Sequence, residues 1–232
     1  MKKDFDEYLD KDQLALLSGL DSPAKIQAFL DSIPYSAENA NRPPIHVLRD
    51  GIAHCLDGGL FAAAALRRIG YPPRIIDLFP EPGRDDDHVL AIFKREGHFG
   101  AVAKSNFVGL RYREAIYRSI RELVMSYFEA YFDFDAEKTL RWYTRPLDLR
   151  TMDKVGWLWS EEGADVIERR LRELKRIPLL TEQMVANLSQ VDRRSYEAGM
   201  LGVDVAGLFR PEKPAGKEQR PLDGNRPAVD HQ

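Results

Sequence analysis

A single cysteine in 232 residues excludes an internal disulfide and a cysteine-rich zinc site, so any special chemistry at Cys55 is that of a thiolate. A free cysteine is otherwise a small, commonly buried hydrophobe, and its surroundings decide between the two. Long apolar runs are also missing. Nowhere do about 18 uncharged apolar residues occur in sequence, which excludes a membrane-crossing helix and makes no membrane partner the expectation. The start, MKKDFDEYLDKDQ, is charged where a signal peptide needs an apolar run, so a cytosolic protein is expected. An excess of either charge is lacking too: the formal net charge is -3, which gives no global reason to expect a nucleic-acid partner. No internal repeat is evident, and a chain of this length is read as one domain over residues 1–210.

What is present is a well-punctuated chain. Residues 5–20 hold a short amphipathic helix at most. Ser22 caps a second helix, Pro23 fits its first turn, and Ile26, Phe29, Leu30 and Ile33 form its apolar face until Pro34 ends it. Tyr35 to Leu48, with Pro43 and Pro44, reads as a loop. A helix over Cys55 to Ile69 follows, ended by Gly70, and its middle, GGLFAAAALRR, is rich in small residues that let another element approach closely. Arg74 to Leu78 and His88 to Phe93 read as strands. Arg95 to His98 makes a turn, and Phe99 to Ala103 returns as a third strand.

Helix and then strands predict an α+β fold in which a cysteine-bearing helix packs on an antiparallel sheet. The core is expected over about 20–110. From Arg113 to about 210 a helical C-terminal extension is expected, with Ile116, Ile120, Leu123, Val124, Tyr127, Phe128 and Tyr131 on one apolar face. A capped helix begins after Ser160, with Val166, Ile167, Leu171 and Leu174 inward, and a short one covers Thr181 to Leu188. Residues 211–232 are rich in proline and poor in apolar groups, and disorder is expected there.

The chemistry converges on HCLDGGLFAAAALRRIGYPPRIIDLFPEPGRDDDH, from His54 to His88. A cysteine at a helix start sits where free backbone amides and the helix dipole favour its thiolate and can serve an oxyanion. It needs a base and a group to orient that base. His88 opens a strand and is the candidate base. If Arg95 pairs with His98, His88 faces Ser105, and a slip of one residue brings Asn106 or Lys104 opposite instead. Asn106 is favoured as the orienting group because an amide oxygen accepts well from an imidazole N–H. Ser105, Asp86 and Asp87 remain alternatives.

The order and spacing of Cys55-Leu56-Asp57, the Ala/Leu-rich helix, the Gly70-x-Pro72-x-Arg74 turn and His88 resemble the transglutaminase-like superfamily, which shares its Cys-His-Asp logic with papain-type proteases. The resemblance covers roughly residues 20 to 108. It implies a papain-like fold with Cys55 as nucleophile and His88 as base, and a peptide, protein or small amide or ester as substrate. Two departures stand out. Leu90 occupies the place of the family's usual tryptophan, and Lys104-Ser105-Asn106 replaces its Asp-Pro, so the triad is incomplete or Asn-based.

Other features read more simply. His54 is expected to cap or to face solvent, and His46 and His98 to be solvated. Asp85, Asp86, Asp87 and His88 are consecutive and do not converge on one metal ion, and no cofactor is expected. The run from Arg169 to Arg176 is the solvated face of a helix, and Tyr127, Phe128, Tyr131 and Phe132 are core. Three functions follow: a cysteine hydrolase or acyltransferase, a binding or scaffold protein on the same fold with a decayed triad, and a redox-sensing thiol protein.

Overall fold

The computed structural model describes residues 5–209. The tail expected to be disordered, 211–232, lies outside them. The chain opens with a 3-10 turn over Phe5–Tyr8 and helix α1 (Lys11–Gly19), then α2 (Pro23–Ser32), where Ser22 accepts from the Lys25 amide and Pro23 takes the first turn as expected. The stretch expected as a loop contains a helix, α3 (Pro44–Asp50): the two prolines pre-set its first turn and Gly51, at φ 63°, ends it. Next comes α4 (Cys55–Arg68), in which every residue from Leu56 to Leu66 is buried.

Three strands follow, β1 (Arg74–Pro80), β2 (His88–Arg95) and β3 (His98–Val102), and the β2–β3 hairpin has the expected register, Arg95 opposite His98. That ladder stops at Ala91 opposite Val102, so His88 faces no β3 residue and pairs with Leu78 of β1. The segment expected to be helical from Arg113 contributes β4 (Arg113–Tyr117), the short helix α5 (Ile120–Met125), β5 (Leu140–Thr144), β6 (Leu147–Asp148), α6 (Glu161–Glu173), β7 (Arg176–Pro178), α7 (Glu182–Ala186) and α8 (Arg193–Gly199). Its strands join the same antiparallel sheet, in the order β4-β3-β2-β1-β5-β7 with β6 beside β1. Ile116, expected to be inward on a helix, lies on edge strand β4 and is 66% exposed. The α+β architecture stands, and the core extends well past residue 110.

The sheet is covered on both faces. On one, Ile75, Val89, Ala91, Phe93 and Val102 pack with α1, α2, α4 and α6; on the other, Ile76, Leu78, Leu90, Ile92 and Ala101 pack with Leu123, Val124, Tyr127 and Tyr131. Successive residues of β1 and β2 alternate between the two cores, as the pleat requires. Among the described residues no helix is long and apolar enough to cross a membrane.

Two glycines set the depth of α4. A Cβ on Gly58 would lie 2.2 Å from Cβ of Lys104, and one on Gly59 2.7 Å from Cγ1 of Val89, so the bare backbone of the helix rests on the side chains of β2 and of the chain leaving β3. Lys104 is held in turn by its ammonium, which donates to the carbonyls of Leu30 and Ile33 at the end of α2 (2.8 and 2.6 Å). We expect Gly58→Ala to lower the unfolding free energy by about 1–3 kcal/mol, the usual range for overpacking, in urea titration. An unchanged midpoint would mean that the contact is soft.

Candidate functional site

The N-terminus of α4 is built by its own sequence. His54 is the cap, its Nδ1 accepting from the Leu56 amide at 3.2 Å, and Asp57 reaches back to the His54 amide at 3.1 Å. The capping role expected of His54 is therefore the one it has. Asp57 is fully buried, accepts from the Arg42 amide at 2.6 Å and lies 3.8 Å from the Arg42 guanidinium. Burial nevertheless raises its carboxyl to about 7.

Cys55 occupies the first helical position. A parallel bridge between Tyr35 and Ala53 sets Tyr35 beside it, and the two residues border the same cavities. The thiol lies against the backbone at the start of β2, donating to the Asp87 carbonyl at 3.7 Å. The residue is partly exposed, and two cavities of about 230 and 30 Å³ border it. Burial first, and then the charge of Asp87, push its pKa well above the ordinary thiol value, opposite to what a helix N-terminus alone predicts.

His88 is reached by that backbone contact but not by its ring. Val89 faces α4, as its approach to Gly59 requires, so His88, one residue earlier, points to the opposite face with its partner Leu78. There its Nε2 lies 2.7 Å from the Leu110 carbonyl, and the rings of Tyr127 and Tyr131 pack edge-on to it, each with its centroid 6.5 Å from that of the imidazole. A carbonyl only accepts, so Nε2 carries the proton and Nδ1 the lone pair. Burial lowers the imidazole to about 4, and it is neutral at pH 7. Among the described residues, no hydrogen bond joins the Cys55 thiol to His88.

The orienting group of the ring is Leu110, not Asn106. Both atoms of the Asn106 amide are taken by one residue: Nδ2 donates to the Asp204 carbonyl and Oδ1 accepts from the Asp204 amide, each at 2.8 Å. Ser105 accepts from the Phe107 amide. The side chains on the cysteine side are Asp77, which pairs with Val89, and Asp87; burial raises both carboxyls, and the charge of Asp87 raises Asp77 further. Oδ1 of Asp77 is buried without a hydrogen-bond partner. Sequence reasoning missed Asp77 and Tyr35; the alternation of β1 against β2 is the signal that could have placed Asp77 once the face of α4 was known.

The structure has a distant likeness to Legionella pneumophila LapG. The likeness spans 71% of this chain and 92% of the LapG chain at 12% identity and a TM-score of 0.37, and an EGTA-treated form of LapG gives 0.36 at the same identity and coverage. No family model matches the chain, and no curated protein does.

The remaining expectations divide. His46 lies on α3 rather than in a loop, 3.1 Å from Glu161, and His98 opens β3. Asp85, Asp86 and Asp87 diverge: Asp85 accepts from Thr139, and the Asp86 carbonyl accepts from Tyr131. Among the described residues no three His, Cys, Asp or Glu side chains are grouped to hold a metal.

The pKa of Asp57 has a measurable consequence. Its carboxyl is raised above the ordinary value near 4, so the folded chain takes a proton before the unfolded chain as pH falls. The stabilisation is full near pH 4 and is lost as pH rises through about 7. Asp57→Asn lacks this linkage. Relative to the variant, the parent should lose roughly 4 kcal/mol between pH 4 and 8, at about 1.36 kcal/mol per unit of pKa change. Urea titrations across that range that run parallel for the two proteins would contradict it.

Proposed function

We propose that this chain binds its ligand at the Cys55 cleft and does not turn it over through a Cys-His pair. On this reading it is a non-catalytic protein on a scaffold of transglutaminase-like type. The observation that carries it is that the thiol and the imidazole, although they border one cavity, each hydrogen-bond a different backbone carbonyl. A base must come within hydrogen-bonding reach of its nucleophile, and the free Nδ1 of His88 makes no hydrogen bond with the Cys55 thiol, which donates to the Asp87 carbonyl instead. The raised thiol points the same way, because the protonated form is a weak nucleophile.

A second reading, cysteine-dependent acyl transfer or hydrolysis, is favoured by one arrangement. Cys55 stands at a helix start, and it and Tyr35 line a cavity of about 230 Å³. That is a place for an acyl carbon and its oxygen. Cys55 and His88 both border the smaller cavity, and this reading would require Nδ1 of His88 to come within hydrogen-bonding reach of the thiol there.

One experiment separates the two. The protein is mixed with p-nitrophenyl acetate, and iodoacetamide labelling of Cys55 is followed across pH. The expected result is no stoichiometric burst, with a labelling inflection above the ordinary thiol value near 8.5 that His88→Gln leaves in place. A burst that acetylates Cys55, disappears in Cys55→Ala and slows about 100-fold or more in His88→Gln would replace the binding reading with the catalytic one.

A further inference from the structure

We propose that the cleft at Cys55 is a binding site for a peptide that makes one tight turn and carries glycine where it crosses Tyr35, and that residues 204–209 of this chain are its resident occupant. The inference rests on reading the cleft as a binding site, and it names the class of ligand.

Three observations support it. Asn106 contacts Asp204 only through the peptide backbone, donating to the carbonyl and accepting from the amide, which is how a receptor engages a peptide irrespective of its side chains. The turn Val205–Gly207 then closes on itself, the Gly207 amide donating to the Asp204 carbonyl at 3.1 Å and the Asp204 carboxylate accepting from Ala206 at 3.0 Å. Gly207 finally passes so close to the receptor that a Cβ there would lie 2.8 and 3.0 Å from ring carbons of Tyr35 and 3.2 Å from Nδ2 of Asn106. Main-chain recognition, a preformed turn and a position with no room for a side chain together define a peptide ligand.

The same segment controls access to the thiol. Tyr35, Cys55 and Gly207 border both cavities, with Leu208 on the larger and Phe209 on the smaller. The segment thus divides one cleft in two. Its hold is slight: Leu208 is its buried anchor, while Asp204, Val205 and Ala206 are exposed. A competing peptide with the same turn has a site to enter once residues 204–209 leave.

The test uses the full chain in a Cys55→Ala background and a fluorescein-labelled synthetic peptide, Asp-Val-Ala-Gly-Leu-Phe. Gly207→Val displaces the resident segment and should tighten peptide binding by about tenfold or more, because the fraction of open sites sets the apparent affinity. Asn106→Ala also frees the segment but removes the receptor contact, so it should gain no peptide binding. With Cys55 restored, both variants should label with iodoacetamide about tenfold faster than the parent. Leu208→Ser, which leaves the receptor walls intact, should reproduce the Gly207→Val result should that variant lose its fold. Peptide binding no tighter in Gly207→Val and Leu208→Ser than in the parent would overturn the proposal. Because binding is read without the thiol, an acyl burst at Cys55 would revise the reading of turnover and leave this result standing.

Discussion

The contact on which the site depends is the bare face of α4 against β2. Gly59 admits the side chain of Val89, and Gly58 admits the stem of Lys104, so the helix lies directly on the sheet and its first residue meets the first residues of β2. That close approach is why the Cys55 thiol meets the backbone just before His88, at the Asp87 carbonyl. Lys104 adds the end of α2 to the same assembly by donating to two of its last carbonyls, although burial lowers its own ammonium to about 8. Small residues set the distance here, and a buried cation holds it.

With the helix seated, the pleat decides the chemistry. A strand presents successive side chains to opposite faces, so the residue that meets α4 is settled by parity alone. Val89 and Asp77 share the helix face, and His88 shares the other with Leu78, Tyr127 and Tyr131. A thiol and two carboxyls whose pKa values are raised by burial, with an imidazole that donates to Leu110, lie around the cleft. Peptide backbone groups supplied by the chain itself complete it at Asn106.

Much of this was legible in the residues, and the parts that were not share a cause. The Ser22-Pro23 start, the glycine-rich helix at Cys55, the Arg95–His98 turn and the Ser160 cap rest on local chemistry that acts within a few residues. Arg113 to Tyr117 departs from the expected helix because edge strand β4 exposes Ile116, so its apolar residues do not mark a buried face. Pro43 and Pro44 suit a loop equally well, and here they open a helix.

The sequence by itself determined the α+β class, the helix carrying Cys55 at its tip, the hairpin that follows and the absence of any disulfide, because spacing and turn chemistry are local. Only the tertiary structure decided which face of β2 the helix covers. His88, Leu90 and Ile92 are buried on one side and Val89, Ala91 and Phe93 on the other, so no polar alternation marks a face, and the side on which the imidazole falls becomes defined only when α4 packs. It also decided that Asn106 meets a segment some hundred residues away, since pairing at that separation is set by the closed fold and by no nearby motif.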